Sequence, residues 1–308
     1  MPPGARRSWD AVDGVLLLDK PLGMSSNGAL QAARRLLNAA KAGHTGTLDP
    51  LATGLLPLCF GEATKFSQTL LDADKCYEAT FLLGVTTTTG DAEGDVIAQE
   101  AVRCSEKDVL TAVSRFRGWV EQVPPMFSAL KQGGRALYEY ARQGVEVERK
   151  PRKVCIHEID VLNCDLPRVS IRVRCSKGTY IRTLAEDIGR VLGCGAHLIA
   201  LRRTAIGVLN LGAAVTLERL GAAPSPESLL APVDTLLGEM PALHLDEDQA
   251  QRLLHGRQTH VTALPGAQAE FRVYGPMGFI GVALCRTDGS VVSRRLISTS
   301  RFGVESAK

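Results

Sequence analysis

Residues 43–65 read GHTGTLDPLATGLLPLCFGEATK, a run of turn-forming and apolar residues with few charges. Asp49 is the first acid in this run, and the next is Glu62. Glycines on both sides of Asp49 let the backbone come close to a ligand, and Pro50 restricts the local dihedral angles. The pattern predicts a loop that presents the Asp49 carboxylate rather than burying it. The simpler alternative is that Asp49 only begins a turn, because Asp-Pro is a common turn dipeptide.

The composition is that of a folded protein with a sizeable core. The chain has 308 residues, of which 45% are apolar, and this length suits one large domain or a large and a small one. The N-terminal sequence MPPGARRSWD is followed by an apolar run, residues 15–18, that is too short for a signal peptide or a membrane span. We therefore expect a soluble, cytoplasmic protein with no membrane partner.

The spacing of cysteine and histidine does not predict a metal site. The eight cysteines form no CxxC pair, and no histidine stands at a metal-binding offset from them. Reduced thiols in the core are the expected state, and neither a metal nor another cofactor is predicted. The glycines of residues 43–54 match neither the P-loop pattern nor the dinucleotide-binding pattern, so binding of a nucleoside triphosphate is not expected.

Positive charge is concentrated in one part of the chain. The net charge is only +3, yet residues 124–204 contain 15 Lys and Arg against 8 Asp and Glu, a local balance of +7 that leaves −4 for the remainder. Such a local excess of basic residues is a candidate phosphate-binding footprint. Composition therefore favours a polyanionic partner for this segment.

Hydrophobic periodicity predicts both strands and helices. Strands are expected at residues 14–18, 76–84 and 168–175, and the third alternates between apolar residues and arginine or serine. Its arginines form either a solvated face or part of a polyanion site. Helices are expected at residues 26–40, 106–116 and 181–192, with Ser25 or Ser26 and Ser105 as N-terminal caps and Gly193 as the stop of the third.

A proline-rich connection at residues 224–232 separates the C-terminal part of the chain. From about residue 241 onward, short strands are expected at residues 271–273, 278–285 and 291–297. The Asp288-Gly289 dipeptide is a strong hairpin signal between the last two. These features predict a small β-rich module at the C-terminal end.

Several motifs resemble those of one enzyme family. GHTGTLDP at residues 43–50, LDKPLGMSSN at 18–27, the Lys75-Cys76-Tyr77 entry into a strand and KGTYIRTLAEDIG at 177–189 resemble the TruB family of tRNA pseudouridine-55 synthases. The resemblance covers essentially the full chain, and residues 123–154 resemble the RNA-gripping insertion of its bacterial branch. It implies an α+β fold: a catalytic domain over residues 1–240 on a mixed or antiparallel sheet, with the insertion at about 123–154, and a small β-rich, PUA-like RNA-binding domain over residues 241–308.

The resemblance also implies a reaction, the isomerisation of the T-loop uridine of tRNA to pseudouridine after base flipping. Asp49 is then the nucleophile, and Arg182 is the guanidinium that keeps a poorly hydrated carboxylate ionised. Tyr77 is expected to stack on the uracil. Whether Asp49 attacks the ring or the ribose, and whether Tyr77 or a water moves the C5 proton, are both left open.

Five further residues take their roles only from the resemblance. His44 resembles the family residue that braces the gap left by the flipped base, although a lone histidine in a loop is more often simply exposed. Tyr180 is expected to line the pocket and Leu201 to pack against the base. Without the resemblance, Tyr77 and Tyr180 would each more often be core residues with a satisfied hydroxyl. Lys20 and Lys65 are expected near the pocket in supporting roles.

The expected partner is tRNA, bound at its T-arm and elbow. No protein partner is implied, and a monomer is the expected state. The alternative function is that of a tRNA-binding folding chaperone, in which modification is secondary. The enzyme is favoured because a protein that only binds would have no need of Asp49.

Overall fold

The computed structural model describes residues 8–261 and 269–298. Residues 1–7 lie outside the described residues. They make up most of the N-terminal sequence MPPGARRSWD, for which no signal peptide is expected. Residues 299–308, at the end of the predicted C-terminal domain, also lie outside the described residues. Within the described part of the chain, no helix is both long enough and apolar enough to cross a bilayer.

The chain alternates between strands and short helices. The strands are β1 (Gly14–Lys20), β2 (Ala42–His44), β3 (Ala52–Phe60), β4 (Lys75–Leu83), β5 (Val85–Thr87), β6 (Val96–Gln99), β7 (Gly118–Gln122), β8 (Lys131–Gln132), β9 (Arg135–Ala136), β10 (Arg152–Asp165), β11 (Arg168–Cys175), β12 (Ala196–Ile206), β13 (Leu209–Asn210), β14 (Ala242–His244), β15 (Thr259–His260), β16 (Ala269–Gly275), β17 (Gly278–Cys285) and β18 (Ser290–Leu296). The α-helices are α1 (Ser26–Leu36), α2 (Glu106–Ser114), α3 (Leu137–Ala141), α4 (Ile181–Leu192), α5 (Leu217–Ala222) and α6 (Glu247–Leu254). Short 3-10 helices lie at Gly61–Phe66, Thr69–Leu71, Leu211–Ala213, Pro226–Leu229 and Val233–Leu237.

A large mixed sheet organises the N-terminal part, as predicted. Its strands follow the order β1-β3-β12-β4-β11-β10-β7, with β2 beside β3 and β13 beside β12. β12 runs parallel to β3 and antiparallel to β4, and the other pairs are antiparallel. The sheet thereby places the middle of β12, residues 201–203, beside the start of β3, where the loop with Asp49 ends.

Local sequence signals explain where several elements begin and end. Ser105 and Asp108 form the reciprocal capping box expected at the start of α2. α4 ends at Gly193, whose φ of 77° is left-handed and therefore suits glycine. Ser25 caps α1, but this helix ends at Leu36, short of the predicted Ala40.

The strand β11 shows how the main core is built. Its alternate residues are buried, and they pack with apolar residues of β4, β10, α2 and α4 into one cluster. The other face of β11 carries the arginines and serine, which is the alternation predicted for a half-buried strand. Helices α2 and α4 therefore cover one face of the sheet.

The C-terminal part forms a separate five-stranded sheet of order β14-β16-β17-β18-β15, which confirms the β-rich module. It packs against the main body through Phe279, whose ring lies 5.5 Å from that of Phe66. The Tyr274 hydroxyl also donates a hydrogen bond of 2.5 Å to Asp234. The predicted boundary between the two domains, at residues 240 and 241, stays a prediction.

Candidate active site

Asp49 lies in a cleft of about 900 Å³ on the loop between β2 and β3. The loop is tied to the start of α1 by Ser26, whose hydroxyl donates to the Leu48 carbonyl at 2.9 Å and accepts from the Leu48 amide at 2.8 Å. Gly23 donates to the Pro50 carbonyl at 2.8 Å. Hydrogen bonds on both sides of Asp49 thus join two of the sequence motifs, residues 18–27 and 43–50.

Arg182 reaches Asp49 from the first turn of α4. Its Nη2 lies 3.1 Å from Oδ2 of Asp49. The same guanidinium donates to the carbonyl of Phe127 at 2.6 Å and to that of Thr89 at 3.1 Å. Only 6% of the Arg182 side chain is exposed, so packing and hydrogen bonds hold its charge in one place.

The surroundings of Asp49 act on its pKa in opposite directions. Burial among the cleft walls raises its pKa above the ordinary 3.8, Arg182 lowers it, and Asp91 raises it. The side chain is still 41% exposed within the cleft, which leaves its oxygen atoms accessible to a ligand. The arrangement presents a carboxylate with little hydration and a fixed positive partner.

Asp91 is a site residue to which the sequence analysis assigned no role. Its Oδ2 lies 3.3 Å from Nη1 of Arg182. Thr89 donates a hydrogen bond of 2.5 Å to its Oδ1, and the Glu93 amide donates to the same atom at 3.1 Å. The available signal was an acid placed after the Thr-rich run TTTTG, but local sequence does not show which cation such an acid meets.

Tyr77 and Leu201 come from two neighbouring strands and meet at the cleft. Both residues line it, and both pack against the two core clusters that meet beneath it. Leu201 is paired with Ala52 in the parallel β12–β3 ladder, which places it beside the loop of Asp49. Burial raises the pKa of Tyr77, and the nearby Arg203 opposes this, so the phenol is neutral at physiological pH.

His44 and Tyr180 also line the cleft. Burial lowers the pKa of His44, which favours the neutral imidazole. Tyr180 precedes α4, and its backbone is held by Gln122, whose Oε1 accepts from the Tyr180 amide at 3.0 Å while its Nε2 donates to the Tyr180 carbonyl at 3.3 Å. β7 therefore positions the segment that carries both Tyr180 and Arg182.

The two lysines differ in position. Lys20 is fully buried and donates to the carbonyls of Pro21 at 2.8 Å and Met24 at 2.6 Å, and burial lowers its pKa to about 8. It braces the turn that supports the Asp49 loop. Lys65 does not line the cleft: its Nζ lies 2.8 Å from Glu62 and donates to the Leu296 carbonyl of the C-terminal sheet at 3.1 Å. Neither Lys20 nor Lys65 is among the residues that line the cleft, and the supporting roles expected of them stay predictions.

The segment 123–154 forms one wall of the cleft. Phe127, Ser128, Tyr138 and Arg142 line it, and Arg142 lies 5.4 Å from the ring of Tyr138. Lys150, Arg152 and Lys153 are exposed. Within residues 8–261 and 269–298, no group of three or more His, Cys, Asp or Glu is placed to hold a metal ion.

Three family models match consecutive parts of the chain. The model described as TruB family pseudouridylate synthase, N-terminal domain, matches residues 34–181. The tRNA pseudouridylate synthase B C-terminal domain matches residues 182–238. Pseudouridine synthase II TruB, C-terminal, matches residues 241–297.

Curated relatives match over nearly the whole length. A protein of Aromatoleum aromaticum named tRNA pseudouridine synthase B is 58% identical over 291 residues, which cover 94% of this chain and 94% of the relative. A protein of the same name from Cupriavidus metallidurans is 58% identical over 297 residues, which cover 93% of this chain and 94% of the relative.

Solved structures share the fold at lower identity. A crystal structure of a Cbf5-Nop10-Gar1 complex matches with a TM-score of 0.71 at 24% identity, over 96% of this chain and 91% of that chain. An H/ACA RNP bound to a substrate RNA containing 2'-deoxyuridine matches with a TM-score of 0.70 at 24% identity, over 92% of this chain and 85% of that chain.

The mixed sheet with its central cleft and the separate β-rich sheet define the pseudouridine synthase fold. The chain belongs to the TruB family of pseudouridylate synthases.

Proposed function

We propose that this chain isomerises the T-loop uridine at position 55 of tRNA to pseudouridine, with Asp49 as the nucleophile. The observation that carries the proposal is the contact of 3.1 Å between Asp49 and Arg182 in a cleft also lined by Tyr77. Its relatives named tRNA pseudouridine synthase B support tRNA as the substrate.

The reaction requires breakage of the uracil–ribose C–N bond, rotation of the detached base, and formation of a C–C bond. It needs no redox step and no group donor, so one ionised and oriented carboxylate is enough to begin it. Asp49 has its oxygen atoms open to the cleft and only partial hydration. Its attack forms a covalent bond to the nucleoside, and that bond breaks again when the base rejoins through carbon.

Arg182 is the residue that makes this nucleophile available. Burial alone would favour the protonated carboxyl, and the guanidinium at 3.1 Å favours the carboxylate. Asp91 and the carbonyls of Thr89 and Phe127 fix the guanidinium without blocking Nη2 from Asp49. In this scheme Arg182 sets the charge state of Asp49, and Asp91 sets the position of Arg182.

The apolar and aromatic walls bind the extruded base. Tyr77 offers a neutral aromatic face, which is worth about 1–3 kcal/mol per stacked base, and Leu201 lies beside it. Base flipping costs a few kcal/mol and leaves a gap in the RNA. His44, as a neutral imidazole at the edge of the cleft, braces that gap, and Tyr180 completes the pocket.

The RNA is held by surfaces around the cleft. The excess of positive charge in residues 124–204 supports a phosphate contact there, and segment 123–154 extends from the cleft with exposed basic residues. We propose that this segment grips the T-arm and elbow, and that residues 241–308 act as a PUA-like RNA-binding domain behind catalytic residues 1–240. We also propose that the protein is a cytoplasmic monomer that needs no metal, cofactor or protein partner.

Formation of pseudouridine in an unmodified tRNA transcript, mapped to the nucleotide, tests the proposal. Wild type is expected to modify the T-loop uridine, and Asp49→Asn is expected to lose turnover while its tRNA affinity stays within about tenfold, because phosphate contacts dominate affinity. Asp160→Asn, on the exposed side of β10, is the matched control and should retain activity. A folded wild type that binds tRNA but forms no product would instead favour the chaperone.

A further inference from the structure

A cysteine, a histidine and an aspartate meet outside the cleft. Cys155 and His157 lie two residues apart on β10, and Sγ of Cys155 is 3.6 Å from Nδ1 of His157. On the far side of the same ring, Nε2 of His157 lies 3.1 Å from Oδ2 of Asp74. None of the three residues lines the cleft, so this cluster is a second constellation of reactive side chains.

The fold places the cluster on the open face of the large sheet. Ile156, between Cys155 and His157, is buried in the core beneath α2 and α4, so its two neighbours point to the opposite face. Trp119, which is paired with Cys155 across the β7–β10 ladder, is 75% exposed. Cys155 is itself partly exposed, so a small solute can reach the thiol from solvent.

The contacts favour one tautomer of the neutral His157 ring. A carboxylate beside Nε2 favours the tautomer that carries its proton there, and this leaves Nδ1 as the acceptor for the Cys155 thiol proton. The charged and titratable groups on this face come from five elements: Asp74 from the loop before β4, Cys76 from β4, Arg174 from β11, Lys153 and Glu158 from β10, and Glu121 from β7. Arg174 contacts both Asp74 and Glu158, so the carboxylates of the cluster are held in place.

Cys76 faces the same charged groups, but it has no histidine among its charged neighbours and burial raises the pKa of its thiol. Three other cysteines have different surroundings. Cys59 and Cys175 are buried, and burial raises the pKa of each thiol to about 12. Cys164 lies on β10 with Cys155 and is also partly exposed, but burial raises its pKa and its charged neighbours are carboxylates. Cys164 is thus a natural comparison for Cys155 within one strand.

We propose that Cys155 is a peroxide-reactive thiol for which His157 serves as base and then as acid, with Asp74 as the nearby carboxylate that stabilises the imidazolium. His157 accepts the thiol proton, and the sulfur attacks one oxygen of hydrogen peroxide. An S–O bond forms as the O–O bond breaks, so sulfur loses the electron pair that the peroxide gains. The imidazolium returns its proton to the departing hydroxide, and the products are a sulfenic acid and water.

The site is attached to the segment that leads into the cleft. The Cys155 amide donates to the Ser176 hydroxyl at 2.9 Å, and the Cys155 carbonyl accepts from the Ser176 amide at 2.8 Å. Ser176 stands just before residues 178–182, all of which line the cleft. The proposed oxidation therefore takes place at a residue whose backbone is hydrogen-bonded to Ser176, just before the segment that carries Tyr180 and Arg182.

The experiment treats the full chain with hydrogen peroxide and captures sulfenic acid with dimedone, with mass spectrometry of each cysteine peptide. Because His157 accepts the thiol proton during the attack, Cys155 should react about tenfold faster than Cys164 at about pH 7.5. His157→Gln removes the base from a half-buried position and should lower the Cys155 rate to that of Cys164. Asp74→Asn should slow the same reaction.

The matched control is His260→Gln, an exposed histidine of β15, which should leave the Cys155 rate unchanged. Circular dichroism and pseudouridine formation verify that each variant is folded. A Cys155 rate no greater than that of Cys164, or a fast rate that survives His157→Gln, would overturn the proposal, because exposure alone would then explain the reactivity.

Discussion

Arg182 and Asp91 form an ion pair almost completely withdrawn from solvent: Nη1 of Arg182 lies 3.3 Å from Oδ2 of Asp91, and the two side chains are 6% and 3% exposed. Because Asp91 is itself held by Thr89, the pair is a fixed support rather than a mobile surface contact. It leaves Nη2 of Arg182 directed at Asp49. The proposed nucleophile Asp49 thus depends on a second acid, Asp91, through Arg182.

Replacing Asp91 should therefore impair chemistry more than binding. In Asp91→Asn the guanidinium loses one charged partner, and a shift of about 1 Å in a catalytic group can cost about 100-fold in rate. We expect the single-turnover rate of pseudouridine formation to fall by about 10- to 100-fold, with tRNA affinity changed by less than about threefold. The exposed Asp95 of the same hairpin supplies the control Asp95→Asn. An equal loss in both variants would contradict the supporting role of Asp91.

The acid limb of the pH–rate profile, where the rate falls at low pH, should report the protonation of Asp49. Burial raises the pKa of this carboxyl above 3.8 and Arg182 lowers it, and the reaction needs the ionised form. The single-turnover rate should therefore fall as the pH drops through this raised value. In Arg182→Gln the lowering influence is absent, so the limb should move to higher pH. Arg190→Gln, which alters an exposed arginine of the same helix, should leave the limb in place, and an unmoved limb in Arg182→Gln would refute the assignment.

Tyr77 variants should separate stacking from proton transfer. Tyr77→Phe keeps the ring, so tRNA affinity should be retained, and any loss of rate measures the hydroxyl. Tyr77→Ala removes a stacking surface worth about 1–3 kcal/mol, so we expect KM to rise by about tenfold. Steady-state kinetics on one transcript measures both effects. If Tyr77→Phe raises KM as much as Tyr77→Ala does, stacking is not the main contribution of Tyr77.

The parallel contact between β3 and β12 should depend on Gly54. A Cβ at this position would lie only 2.3 Å from the Arg203 carbonyl oxygen, and its φ is +98°. Gly118 has the same φ of +98° with no atom within 4 Å of such a Cβ. By denaturant unfolding, Gly118→Ala should cost about 1–2 kcal/mol from backbone strain, and Gly54→Ala should cost about 1–3 kcal/mol more from the clash. Equal costs would show that β12 moves away freely.

Much of the fold could be predicted because its signals are local. The alternation of β11, the capping box at Ser105 and the glycine stop of α4 each lie within a few residues of the structure that they specify. The sequence motifs also named Asp49, Tyr77, His44, Tyr180 and Leu201, which all line one cleft. The early end of α1 was missed because apolar spacing continues to Ala40 although the helix ends at Leu36.

The sequence by itself determined several of the elements, the family and the presence of one acid in a glycine-rich loop, and its motifs already suggested the pairing of Arg182 with Asp49. Only the tertiary structure showed that Arg182 also meets Asp91 and that Lys65 meets the Leu296 carbonyl of the C-terminal sheet. It also brought Cys155 and His157 to Asp74. Helix and strand periods depend on neighbouring residues, whereas an ion pair depends on distances between segments that are far apart in the chain, and those distances are set by how sheets and helices pack.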